Sequence, residues 1–340
     1  MGPALLWSPF FLAAHGIVRL GNALGIPWEA DGYSAPYRVL TALGSALYAF
    51  IGLELLRRLA LRIASPAIAL WGVLTAWLAS PLVFYMSAHP FMAHAVDFFV
   101  NAGFLWMWAR QGEPTPSARL AGVGAGIGFL PQMIVWRAVF GAWIVGNPYG
   151  IAGAGTFDLR ALYVLEVLFS TNRGLFPWTP IAAFALAGLA GPLGRACPAW
   201  ARLLLAQAGA QLYVVGSWSV WSGAAAFGPR LLTGLFAGFA LGLAALYEAG
   251  RRRWGMRPVL ALSLSAVAWN MILLARYSLE DVPRMGPVPL ATLWLGQLTF
   301  IGRALGELDR IGQTLLRAPS AGSSRRLSRP GRKTMRGRPV

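Results

Sequence analysis

The stretch LLTGLFAGFALGLAALYEAGRRRWGMRPVLALSLSAVAWNMILLA, residues 231–275, holds two apolar runs divided by Arg251, Arg252, Arg253 and Arg257. Each run has the length an α-helix needs to cross a hydrocarbon layer, about 20 residues at 1.5 Å rise. The arginine cluster between them is the kind of turn that the positive-inside rule keeps in the cytoplasm. Composition says the same of the whole chain. Of 340 residues 57% are hydrophobic and 12% charged, roughly half the charged share of soluble domains, with mean hydropathy +0.57. A secreted or cytosolic enzyme is excluded. The single Cys197 excludes a disulfide framework and a cysteine zinc cluster, and three histidines leave little for a metal site.

Working outward, hydropathy predicts spans near 36–57, 64–85, 89–109, 119–141, 178–194, 199–216, 229–249, 257–275 and 288–305. The gaps alternate in charge: Arg57, Arg58 and Arg62, then nothing basic at 86–88, then Arg110 and Arg119. Arg195 and Arg202 follow, and then Arg251 to Arg257. The expectation is an all-α integral membrane protein, a polytopic bundle of about nine transmembrane helices (36–305), with outer loops at 142–177 and 217–228. Residues 1–35 then fall outside. Within them Pro3–Leu20, with Pro9, His15 and Arg19, reads as a helix lying in the outer interface, the alternative being a tenth span.

The net charge of +17 is concentrated in a basic tail, expected to be disordered and cytoplasmic over 306–340. Residues 317–340 alone carry Arg317, Arg325, Arg326, Arg329, Arg332, Lys333, Arg336 and Arg338 without an acid. Such a tail suits membrane lipids, at about 1 kcal/mol per basic side chain near an anionic surface, rather than nucleic acid. GVGAGIG (122–128) is not preceded by a strand and suits close helix packing better than a dinucleotide.

Four segments on the predicted outer face carry the candidate chemistry: DGYSAPYR (31–38), HPFMAHAVDFF (89–99), STNRGLFPWTP (170–180) and SWSVWSGAAAFGPR (217–230). An ionisable group at a membrane boundary costs free energy unless it is solvated or paired, which makes each a functional candidate. His94 and Asp97, three apart, share a helix face, where the carboxylate orients the imidazole, acts as a base, holds a divalent cation with a phosphate, or simply caps the helix start. His89, His94 and Asp97 are a weak set for a protein-only metal site. Arg173 and Arg230 suit bidentate phosphate recognition or interfacial snorkelling. Trp218 and Trp221 suit sugar stacking or the aromatic belt, and Asp31 and Tyr33 suit a binding loop or a turn with Gly32 and Pro36.

These segments, in this order, resemble bacterial membrane glycosyltransferases of the GT-C superfamily, of the protein O-mannosyltransferase and lipid A aminoarabinose transferase type, and more closely a branch described as glycosyltransferase family 39-like. The resemblance rests on GPALLWSPFFLAAH (2–15), ADGYSAPYR (30–38), SPLVFYMSAHPFMAHAVDFFVNAGFLWMW (80–108), FLPQMIVWRAVFG (129–141), LFSTNRGLFPWTP (168–180) and SWSVWSGAAAFGPRLL (217–232). It implies a helical bundle in a bacterial cytoplasmic membrane. There a sugar passes from a polyprenyl-phosphate-linked donor to a lipid or glycan acceptor on the outer side. It also implies that Arg173 and Arg230 steady the lipid phosphate, that Asp31, Tyr33, Trp218 and Trp221 line the substrate site, and that Asp97 and His94 position donor or acceptor.

Two departures stand against it. The family's catalytic carboxylate lies near the end of its first span, upstream of the point in the family's pattern that Met1 matches, and the family has more chain between Trp108 and Phe129. A non-catalytic membrane partner or decayed gene product is therefore a second expectation. A lipid-linked-sugar transporter, using the mid-span Gln132, Arg137, Gln207, Gln211 and Asn270, is a third. The mass and amino-terminal peptide of the native membrane protein decide the first point. The resemblance predicts a product longer by a span and an outer loop carrying an Asp or Glu, and a product starting at Met1 favours the non-catalytic reading.

Overall fold

A computed structural model describes residues 2–110, 130–145, 156–160 and 162–317. They are mostly helical. Among the described residues there is no strand, only an isolated antiparallel bridge between Phe157 and Trp218. In chain order the helices are α1 (Gly2–Ala23), α2 (Ala35–Ala60), α3 (Pro66–Leu78), α4 (Leu82–Ser87) and α5 (His94–Arg110). A helix over 130–140 is α6. Then come α7 (Val164–Phe169), α8 (Leu175–Trp178), α9 (Ile181–Ala196), α10 (Pro198–Gly216), α11 (Arg230–Trp254), α12 (Met256–Ser278), α13 (Leu290–Trp294) and α14 (Gly296–Arg317). Four of them, α1, α2, α11 and α12, are long and apolar enough to cross a membrane, and α3 and α9 are shorter apolar helices. The chain is a helical membrane protein.

The centre of the bundle is α11, almost wholly buried along its length. Its small residues set how closely its neighbours approach. A Cβ at Gly72 of α3 would sit 2.9 Å from the Ala244 Cα, and one at Gly242 would meet Leu189 Cγ at 2.9 Å and the Ala185 carbonyl more closely still. Gly188 of α9 meets the Gly242 backbone in the same way. Between apolar helices in lipid there is no hydrophobic driving force, so this close backbone contact is where dispersion holds the bundle together. A buried hydroxyl pair, Thr75 Oγ1 and Ser263 Oγ at 2.5 Å, ties α3 to α12.

Several expected spans are interrupted, each for a local reason. The 64–85 span breaks between α3 and α4 at Ala79–Pro81, because Pro81 has no N–H to continue the ladder. The carbonyls of Leu78 and Ser80, freed by that break, both accept from Asn270 Nδ2 at 2.9 Å. The 178–194 span is split at Thr179–Pro180, and α9 contains a π turn, Leu189–Leu193, around Pro192. The 288–305 span is not one helix: α13 ends at Trp294, and α14 is amphipathic, with Leu298, Ile301 and Leu305 along one exposed face. Because α14 continues through Arg317, residues 306–317 are helical rather than disordered, and the rest of the predicted tail lies outside the described residues. So do 119–129, with GVGAGIG, and 146–155. Of the described residues, those through Gln297 form one compact unit and those from Leu298 a second.

The first helix packs along the second. Tyr48 Oη donates to the Leu6 carbonyl at 3.0 Å, Trp7 Nε1 to Ser45 Oγ at 2.7 Å, and His15 Nδ1 lies 2.6 Å from Tyr37 Oη. Partners that descend along α2 as α1 ascends define an antiparallel hairpin, so α1 runs along α2 instead of across its end. Phe10 fills the notch left by Gly44, which a Cβ would close to 2.5 Å. That packing sets α1 alongside α2.

Overpacking the central crossing is expected to lower stability by about 1–3 kcal/mol. Thermal unfolding of the detergent-solubilised Gly242→Leu and Gly188→Val proteins measures it. Gly191→Ala, whose new methyl group meets open space, is expected to leave Tm unchanged.

Candidate functional site

At one end of the bundle a cleft of about 480 Å³ opens between α1, α5, α10 and the first turn of α11. Its polar wall is built by His94, Asp97, Gln211 and Thr233, and its apolar wall by residues such as Pro3 and Leu6. Asp97 stands in the first turn of α5, where the helix dipole favours an anion, and it is exposed to the cleft. Asn101 Nδ2 donates to Asp97 Oδ1 at 3.1 Å, and Gln207 Nε2 donates to Asn101 Oδ1 at 2.6 Å. Gly234 makes room for the carboxylate: a Cβ there would stand 2.6 Å from Asp97 Oδ2.

The tautomer of His94 follows from its neighbour. Thr233 Oγ1 donates its proton to the Arg230 carbonyl at 2.9 Å, so it can only accept from His94 Nδ1, 3.1 Å away. A neutral His94 therefore carries its proton on Nδ1 and keeps Nε2 as the basic nitrogen. The ring is held by Tyr85, with centroids 4.4 Å apart.

The two candidate phosphate arginines have different fates. Arg173 is buried at 2% exposure, and its guanidinium is fully committed. Nε donates to the Ala226 carbonyl at 3.0 Å, Nη1 to Gly286 at 2.6 Å and to Asn172 Oδ1 at 3.2 Å, and Nη2 to Pro283 at 2.7 Å. The indole of Trp178 lies beneath it at 5.0 Å. Burial pushes the guanidinium pKa down from its ordinary value. Arg173 is thus a clamp on the loops at 226 and 283–286, and its assignment to a lipid phosphate is corrected: no edge of the fork is free for a ligand. Arg276, which the sequence did not single out, does similar work, donating to Asp281 Oδ2 at 2.7 Å and to the Thr292 carbonyl at 2.9 Å.

Arg230 is different. It is half-buried beside the cleft, its Nε has no partner, and its nearest polar contact is Met92 Sδ at 3.6 Å from Nη1. Among the described residues no carboxylate pairs with it. The remaining candidates lie away from the cleft. Asp31 Oδ1 accepts from the Tyr33 and Ser34 backbone N–H groups at 2.8 and 3.0 Å, a turn that lets Gly32 sit at φ +82° and leaves Tyr33 79% exposed. Those N–H groups, Tyr33 first, hold the Asp31 carboxyl below its ordinary pKa. Trp218 stacks on Phe157 at 6.0 Å and 13°, Trp221 packs against the main core, and His89 lies on Phe84 at 4.8 Å. Among the described residues no three His, Cys, Asp or Glu side chains converge on a cation.

No protein-family model, no curated protein and no solved structure matches the chain. Fold and site together define a helical membrane protein with a polar cleft at one end of its bundle. Removing the buried cation in Arg173→Met strands three backbone carbonyls at about 1–3 kcal/mol each. The expected result is a clear loss of Tm and new proteolytic cleavage within 280–287. Arg230→Gln, which breaks no ion pair, is expected to keep the parent Tm.

Proposed function

We propose that this protein is a membrane glycosyltransferase-like protein of a bacterial cytoplasmic membrane. It would bind a polyprenyl-phosphate-linked sugar and transfer the sugar to an acceptor on the outer side. The reading is supported above all by one juxtaposition: Asp97 and the Nδ1-protonated His94 on the wall of a cleft, with the unpaired Arg230 beside it. A carboxylate in the cleft can take the acceptor hydroxyl proton as the oxygen attacks the anomeric carbon and the lipid phosphate leaves. A guanidinium without a carboxylate partner suits the charge that grows on that phosphate. The apolar wall, with Pro3 and Leu6, suits a prenyl chain. The GT-C resemblance of the quoted segments points the same way.

In the non-catalytic reading the same cleft holds the lipid-linked sugar without transferring it. One experiment separates the two. The purified protein in lipid nanodiscs is given a radiolabelled polyprenyl-phosphate-sugar, and donor binding and polyprenyl-phosphate release are followed separately. Transfer predicts that Asp97→Asn abolishes release while donor binding persists, and that Arg230→Gln weakens binding roughly tenfold. Gly234→Ala, which crowds Asp97, is expected to slow release without loss of binding. Binding without release in the parent protein supports the non-catalytic reading, and no donor binding at all rejects both.

A further inference from the structure

At the other end of α11, about 24 Å along the helix from the cleft, a second and larger cavity of about 760 Å³ is open to the surface. It forms where α9 leaves α11. The two helices touch at Gly188 and Gly242, then the π turn around Pro192 carries α9 away, and a stripe of α11 one turn apart, Ala245, Ala249 and Arg252, lines the gap. Small residues at 245 and 249 keep that wall low. Four guanidinium groups surround the opening: Arg62 from the α2–α3 turn, Arg195 from the end of α9, and Arg252 and Arg253 from α11.

The lining contains one acid, Glu248, and its acceptor capacity is spent. Oε1 accepts from Arg251 Nη2 at 2.6 Å and Arg252 Nε at 2.8 Å, and Oε2 accepts from Ser65 N and Oγ at 3.2 and 3.0 Å. Among the described residues no carboxylate pairs with the other guanidinium groups. Arg62 Nη1 donates to the Ala109 carbonyl at 2.8 Å, and Arg253 lies over the Trp254 ring at 5.6 Å. Arg195 has no hydrogen bond or ion pair among the described residues, and Arg252 keeps both Nη nitrogens free. Arginine held along a surface by snorkelling would spread outward into water. Here four arginines from three separate elements line one concavity together with the apolar Leu61, Ile63 and Ala245.

We propose that this cavity is a binding site for a phosphate group, and that its occupant is the headgroup of an anionic lipid. Paired guanidinium forks match phosphate oxygens bidentately. Apolar residues in the same lining match the glycerol and first methylenes of a lipid better than they match a hydrated free ion. A basic pocket among helix ends is a recurrent way to hold such headgroups. The site is independent of the cleft: no residue lines both.

The test uses the full-length protein, delipidated in neutral detergent. Native mass spectrometry follows titration with phosphatidylglycerol, with phosphatidylcholine, and with soluble glycerol phosphate. Saturable binding of phosphatidylglycerol in preference to phosphatidylcholine is expected, weakened roughly tenfold for each arginine removed in Arg195→Gln and Arg62→Gln. Arg195 makes no hydrogen bond or ion pair among the described residues, so its replacement leaves the described packing intact. Arg257→Gln removes a charge near the same helix ends but outside the cavity, and is expected to bind as the parent does. Glycerol phosphate competing as strongly as the lipid would keep the phosphate site and assign it a soluble occupant. Equal binding by parent and Arg62→Gln/Arg195→Gln, or equal weakening by Arg257→Gln, would overturn the proposal, because diffuse surface charge would then account for the affinity.

Discussion

The contact on which the rest depends is the approach of backbone to backbone where Gly242 meets Gly188 and Ala185, with Gly72 against Ala244 on the opposite flank. In a bilayer an apolar side chain gains nothing by exchanging lipid for protein unless the protein packs more densely. Glycine and alanine give that density by removing the side chains that would hold helices apart. Everything polar is arranged around this crossing. Hydrogen-bonded hydroxyls tie α3 to α12, and the ionisable groups are pushed to the two ends of α11. One end gathers arginines beside the committed Glu248, and the other places Asp97, His94 and Arg230 together.

Two arginines predicted to play one role in fact divide the labour. Arg173 and Arg276 are interior: the first is surrounded by carbonyls from loops that have no regular structure of their own, and the second joins Asp281 to the carbonyls of Thr292 and Leu293 in α13. A loop in this position must satisfy its backbone polar groups without water, and a planar cation with five donors does so at several points at once. Arg230 lacks such partners among the described residues, so what sets the two arginines apart is what the carbonyls claim.

How much of this was legible in the sequence depended on the range of the interaction. The apolar runs of α2, α11 and α12 could be read directly, because a span's length is fixed by bilayer thickness. His94 and Asp97 could be paired by their spacing on α5. The break at Pro81 and the π turn at Pro192 were hidden inside continuous hydropathy, which counts apolar residues but does not register a missing N–H. Asn101 escaped notice, and Gln207 stood out only as a mid-span polar group, because their partnership joins α5 to α10. The i, i+4 spacings of Asp97 with Asn101, and of Gln207 with Gln211, were the available signal. Arg173 next to Gly174 had the look of a phosphate ligand, and only the loops folded over it, from more than 50 residues downstream, show otherwise.

The Asn270 side chain has a consequence for the order in which the protein can be built. Its amide satisfies the carbonyls of Leu78 and Ser80 across 192 and 190 residues of sequence. Until α12 is made, the break between α3 and α4 has no such partner, and α11, around which α3 and α9 close, has itself only just emerged. The early helices must therefore wait, shielded by the insertion machinery or by one another, for a late pair to complete them. In this chain the keystone is synthesised near the end, and truncation after α10 would leave a set of helices with faces shaped for a centre that never arrives.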